Sequence, residues 1–313
     1  MEHYSRALSN AAERMATWDG VDIRRHTSLT QITHWEEFQA FAVTFSSDAW
    51  FFRGQGDSRW RLRPSLERVT SYPIPKLDTQ TKEINGTTEI MQDAFYAEYE
   101  LSREFKRRAH HYLTDLPLLD DHVEWLALMQ HFGVPTRLLD WTRSPYVAAY
   151  FAVLDVSDDA PCSVWAVDAV ELEREAKALI GIERVEDDRE HFFWDKRTFD
   201  NNFIEDPLVM VVPVQPFRMN QRLTVQQGVF LCSANLTIGF EDNLGAVIKR
   251  SNGAVRLHRL DIAPSARFQF LRELDRMNIS HATLFPGLDG FAAYLRNNFR
   301  LKYEAKLRIS SDA

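Results

Sequence analysis

The chain has 313 residues, 45% of them hydrophobic, with 37 basic and 45 acidic side chains and a formal net charge of −8. That is enough apolar material for a large core, and Gly and Pro, at 12 each, are too few for a fibrous or low-complexity protein. The acidic balance excludes polyanion binding driven by net charge alone, so an anionic partner would need a local basic surface.

Two cysteines, Cys162 and Cys232, stand far apart with no Cys-x-x-Cys or Cys/His cluster, which argues against a zinc site or a disulfide scaffold. No apolar leader and no run of about 18 apolar residues is present, so the expectation is a soluble cytoplasmic protein with no membrane partner. Residues 1–30 read as an N-terminal arm or helix, and 31–313 as a single α+β domain. Ile32, Trp35, Phe38 and Phe41 recur at helical spacing and predict an amphipathic helix over 28–45. "AWFFRG" predicts a short buried strand ending at Gly54. The stretch 69–90 has prolines, polar residues and no period, and reads as a loop.

Helices are predicted over 95–113, with a basic face of Arg103, Lys106, Arg107 and Arg108, and over 121–132. Gly133 is a natural helix terminator with Pro135 beyond it. A strand over 136–141 should follow, then a helix opened by Ser144 as cap and Pro145 as first residue. Further along, "CSVWAVDAV", "PLVMVVPV", "GVFLCSA", "AVRLHRLDI" and "ATLF" read as strands. "ELEREAKALIGIERVEDDRE" reads as a solvated helix and loop, "RLTVQQ" as a turn or short helix. Helices "PSARFQFLRELDRM" and "DGFAAYLRNNFRLKYEAKL" finish the chain. The mixture is α+β, with short strands and long intervening helices.

One local feature runs against the overall charge. Residues 50–68, "WFFRGQGDSRWRLRPSLER", carry Arg53, Arg59, Arg61, Arg63 and Arg68 against only Asp57 and Glu67. Gly54 and Gly56 mark tight backbone geometry but lack the third glycine of a dinucleotide fingerprint, and no Walker loop, HExxH or nucleophile elbow occurs.

Three strings, "FFRGQ" (51–55), "QHFGVPTRLLDWTRSPYVAAYFA" (130–152) and "NQRLTVQQGVF" (220–230), carry a resemblance. The first two resemble the FRG domain, a bacterial module. The third, with "ISHATLFPGLDG" (279–290), is similar to segments that follow it. FRG domains in turn resemble ADP-ribosyltransferases. The resemblance implies a mixed, split sheet of short strands surrounded by helices. It also implies NAD as substrate, transfer of ADP-ribose to a protein or nucleic acid or hydrolysis of NAD, and a role as toxin or phage-defence effector. The alternative is a non-catalytic nucleotide- or nucleic-acid-binding module on the same fold.

The resemblance assigns Arg53, Gly54, Gln55, Arg137, Trp141, Thr142 and Gln226 to dinucleotide binding, and Asp140, Gln227 and His131 to catalysis. Arg53 offers a donor fork that fits a pyrophosphate, or ties a core edge to a carboxylate. Cleaving nicotinamide from ribose develops positive charge on the sugar, which a carboxylate stabilises. Where the transferases carry a glutamate, this chain has Gln226 and Gln227. Asp140 is the nearest motif carboxylate, unless it pairs with Arg137 or Arg53. Trp141 is either a stacking surface or core, and His131 a proton carrier or a structural side chain. Arg222 and Gln226, four apart, share a face if the segment is helical.

Overall fold

The computed structural model describes residues 20–45, 49–77, 84–91, 94–154, 160–182 and 194–311. A short 3-10 turn at Ile23–His26 precedes β1 (Thr27–Ile32), α1 (Trp35–Thr44) and β2 (Trp50–Gln55). Then come α2 (Ser65–Thr70), β3 (Ser71–Leu77), β4 (Ile84–Met91), α3 (Ala94–Arg108) and α4 (His122–His131). The middle of the chain supplies β5 (Leu138–Thr142), α5 (Pro145–Leu154), β6 (Cys162–Asp168), α6 (Ala169–Leu179) and α7 (Lys196–Phe199). The last part holds β7 (Val211–Val214), α8 (Gln221–Val225), β8 (Gly228–Ser233), α9 (Phe240–Arg250), β9 (Leu257–Ile262), α10 (Arg267–Arg276), α11 (His281–Leu284) and α12 (Leu288–Ser311).

Seven strands form one sheet in the order β1-β9-β6-β2-β5-β8-β7, and β3 and β4 form a separate antiparallel ribbon. β1 runs parallel to β9, and every other neighbouring pair is antiparallel, so the sheet is mixed. Alternation along the strands divides the core between two faces. Phe51, Trp165 and Val167 pack on one side with Leu172 of α6 and Leu244 and Val247 of α9. Trp50, Phe52, Val164 and Ala166 pack on the other with Phe38 of α1, Ala148 of α5 and Phe270 of α10.

Local signals place the elements around the sheet's centre. Asp121 caps α4 by accepting from the Glu124 N–H at 3.2 Å. Gly133, at φ +77°, ends that helix in the left-handed region that glycine adopts without strain. Ser144 Oγ accepts from the Val147 N–H at 3.3 Å and so caps α5.

Several expectations are corrected. Residues 27–32, expected partly as arm and partly as helix, form β1, because laddering with β9 outweighs a weak helical period. A boundary at residue 30 therefore cuts a strand. Residues 1–19 of the expected arm lie outside the described residues. Much of 69–90, read as a loop, is the β3–β4 ribbon, where Pro73 and Pro75 are tolerated because a two-stranded ribbon has free edges. "ATLF", read as a strand, supplies the last three residues of α11 and Phe285 just beyond its end. There the Ser280 N–H donates to Thr283 Oγ1 at 3.0 Å, so a local cap wins over a four-residue β pattern. The solvated helix over 171–190 has a buried inner face, Leu172, Glu173 and Ala176, and residues 183–190 lie outside the described residues. Among the described residues no helix is long and apolar enough to cross a membrane.

Candidate functional site

β2 and β5 are neighbours at the centre of the sheet, yet their register contains one pair, Phe52–Thr142. Towards Gln55 on one strand and Leu138 on the other the ladder stops, while β2 stays fully paired with β6 and β5 with β8. Arg53 crosses the split, its Nη1 donating to the Asp140 carbonyl oxygen at 2.6 Å. A cavity of about 820 Å³ lies here, lined from β2 by Phe52 to Gln55 and from β5 by Asp140, Trp141 and Thr142. That volume falls within the roughly 300–1,000 Å³ usual for small-molecule sites.

The cavity is cationic. Arg53, Arg61, Arg63, Arg68 and Arg222 line it, with Asp140 the one carboxylate among its lining residues. Two of these arginines are held from behind by glutamates. Arg61 Nε donates to Glu241 at 2.7 Å, and Arg63 Nε lies 3.4 Å from Glu67. For Arg53, Arg68 and Arg222 no carboxylate lies within ion-pairing distance among the described residues. Arg222 instead lies 4.7 Å over the Phe285 ring. Burial pulls the Arg53 guanidinium down to about 10, opposed by Asp140 and reinforced by Arg68. It therefore remains a cation at neutral pH. Arg53 Nε and Trp141 Nε1 are buried donors with no hydrogen-bond partner among the described residues, an uncommon condition for buried N–H groups.

The loop that carries the arginines is pinned along its length. Gln55 Nε2 donates to the Arg61 carbonyl at 3.1 Å, and Gln55 Oε1 accepts from Trp165 Nε1 at 2.7 Å. The Ser58 N–H donates to the Pro161 carbonyl at 2.7 Å, and Leu62 N–H to Glu241 at 2.8 Å. Arg267 Nη2 donates to the Gly56 carbonyl at 2.9 Å. The arginines thus project from backbone that is already ordered, which lowers the entropy cost of binding an anion.

Asp140 is exposed, and its Oδ2 accepts from Gln130 Nε2 at 2.9 Å, while Gln130 Oε1 accepts from Thr136 at 2.6 Å. Thr142 Oγ1 donates to the Gln226 carbonyl at 2.7 Å, joining β5 to the end of α8. Gln226 Nε2 donates to the Leu284 carbonyl at 2.9 Å.

Of the ten residues singled out from sequence, seven line the cavity: Arg53, Gly54, Gln55, Asp140, Trp141, Thr142 and Gln226. Three do not. Arg137 is 1% exposed and points into the core, donating from Nε to both Glu98 oxygens at 2.9 Å and from Nη1 to the Phe203 and Ala234 carbonyls at 3.1 Å. It pairs with neither a ligand site nor Asp140. Gln227 takes a left-handed backbone turn, φ +48°, and its side chain is exposed. His131 is half-buried at the end of α4, with its pKa lowered by burial and by Arg222. Sequence reasoning did not assign Arg61, Arg63, Arg68 or Trp60 to the site, although the density of arginines over 50–68 was their signal. Gln130 had no signal of its own.

Residues 48–160 match the family of the FRG domain. The chain carries an FRG domain. No curated protein and no solved structure matches the chain. The FRG match spans β2 and β5, so both walls of the split lie inside the FRG domain, while Arg222 and Gln226 come from the chain that follows it.

Glu67 behind the cavity gives a pH-dependent expectation. It accepts from the Phe240 N–H, at the start of α9, at 2.8 Å. Burial pushes its carboxyl up to about 7, against the opposing pulls of that N–H and Arg63. A carboxyl raised in the folded state binds more protons folded than unfolded between 4.5 and about 7, so its contribution to stability falls as pH rises through that window. Glu67→Gln retains an acceptor for the Phe240 N–H and removes the charge. Its melting temperature relative to the parent should therefore rise between pH 5 and pH 8, by the equivalent of about 2–3 kcal/mol. A difference that is flat with pH would show that the carboxylate is as well stabilised in the fold as in water.

Proposed function

We propose that the FRG domain and the segments after it bind an anionic nucleotide in the split between β2 and β5, with NAD as the substrate, and act as an ADP-ribosyltransferase-like or NAD-hydrolysing enzyme. The observation that carries this reading is the set Arg53, Arg68 and Arg222, which share one cavity and have no ion-pair partner among the described residues. Three separate elements, β2, α2 and α8, converge these charges on one cavity of an acidic chain, an arrangement suited to receiving phosphate oxygens. The unpartnered Arg53 Nε and Trp141 Nε1 supply donors that a pyrophosphate or an amide edge would satisfy.

In this reading Asp140 supplies the negative charge. Breaking the ribose–nicotinamide bond leaves its electron pair on the nicotinamide nitrogen and positive charge on the sugar. A water or an acceptor hydroxyl then bonds to the anomeric carbon and gives up its proton. Gln130 orients the carboxylate through Oδ2, and Oδ1 carries no hydrogen bond among the described residues. A second reading, binding without catalysis, is favoured by one observation. Gln227, standing where transferases carry their glutamate, does not line the cavity.

Arg53→Ala should weaken NAD and ADP-ribose binding about 10- to 100-fold, as expected for a lost charged hydrogen bond, with little change in melting temperature. Calorimetric titration measures the first and a thermal melt the second. Unchanged affinity removes the cavity as the site. Release of nicotinamide by the parent, lost in Asp140→Asn with binding retained, separates the enzyme from the binding module.

A further inference from the structure

The loop after β2 holds one aromatic side chain that the fold does not use. Trp60 is 55% exposed, and its ring has no aromatic, cationic or hydrogen-bonded partner among the described residues. The indole is a large, rigid surface that is apolar on its faces and polar at its N–H, which suits it to ligand contact. This one lines the same cavity as Arg53, Arg61, Arg63 and Arg68.

Its backbone is fixed on both sides. The Trp60 N–H donates to the Asp57 carbonyl at 3.2 Å, and Arg24 Nη2 donates to the Arg59 carbonyl at 3.1 Å. The next residue, Arg61, is tied through its carbonyl to Gln55 and through its guanidinium to Glu241. An indole more than half exposed is therefore presented from ordered backbone among cations. That is the combination that receives a planar base beside its phosphates, since every base offers a π face. Phe151 of α5 adds a further aromatic surface to the cavity.

Resting on the anionic-nucleotide reading above, we infer that Trp60 is the stacking surface for a nucleobase, so that the cavity selects base-bearing diphosphates over inorganic pyrophosphate. Trp60 sets specificity and leaves the phosphate contacts to the arginines.

The test compares ADP and inorganic pyrophosphate as ligands of the full chain, with Trp60→Ala and Trp60→Phe. In the parent, ADP should bind more tightly than pyrophosphate. Trp60→Ala should lose roughly tenfold in ADP affinity, the order expected for one base–aromatic stack, and leave pyrophosphate affinity within about twofold. Trp60→Phe should restore most of the ADP affinity. Equal loss for both ligands would mean that Trp60 only shapes the cavity, and no loss for either would remove it from the site. Both results overturn the inference while the anion site stands. A parent that binds neither ligand overturns the nucleotide reading itself and this inference with it.

Discussion

Gly54→Ala is expected to abolish folding. A Cβ at position 54 would stand 2.0 Å from the Ala148 carbonyl oxygen and 2.5 Å from the Ala152 nitrogen, both backbone atoms of α5. Neither can swing aside as a side chain does. Relief requires moving α5 off the central strand, and with it Ala148, Ala149 and Val153 out of the core. Overpacking usually costs about 1–3 kcal/mol, but a Cβ forced against helix backbone that cannot swing aside belongs to the rare class above about 4–5 kcal/mol. The matched control is Gly133→Ala, where nothing lies within 4 Å and the only penalty is the left-handed φ of +77°. That variant should lose about 1 kcal/mol. Soluble yield and thermal melts of the pair read the result. A Gly54→Ala protein that melts within a few degrees of the parent would contradict the close approach of β2 to α5.

Arg137→Met should cost about 3–5 kcal/mol, the usual result of stripping one partner from a buried ion pair. Glu98, buried at 6% exposure, would keep its charge without the guanidinium that now meets both its oxygens. The Phe203 and Ala234 carbonyls would lose their donor as well. In a chain of this size the melting temperature should fall on the order of 10 °C. Replacing both partners, Arg137→Met with Glu98→Met, should recover part of the loss, because no buried charge remains. Nucleotide affinity in any protein that stays folded should be unchanged. A loss of affinity at constant stability would return Arg137 to the site, against its position in the core.

Much of the candidate site was legible because its signals are local. Gly133 and Ser144 bracket β5 through a helix end and a helix cap, and both act within a few residues of chain. The pairing of Arg222 with Gln226 on one face follows from the α8 turn alone, in which the Gln226 N–H donates to the Arg222 carbonyl at 3.1 Å. Gly54 could be marked as a tight point, but not which backbone pressed on it. The β3–β4 ribbon escaped notice since two prolines and polar residues mimic a loop, and β1 escaped because residues 28–31 are all exposed, which leaves no alternation of buried and polar side chains to read.

Composition and local motifs suffice to read an α+β chain with an FRG domain and an arginine-dense segment out of keeping with its acidity. Which arginines serve the fold is set by contacts between distant parts of the chain. Arg59 is taken by Asp57 two residues away, Arg137 by Glu98 across 39 residues and Arg61 by Glu241 across 180. Arg53, Arg68 and Arg222 meet no carboxylate among the described residues and gather at the split. The physical reason is that a charge is neutralised by whatever the fold brings within about 4 Å of it, and chain spacing beyond a helical turn carries no record of that distance.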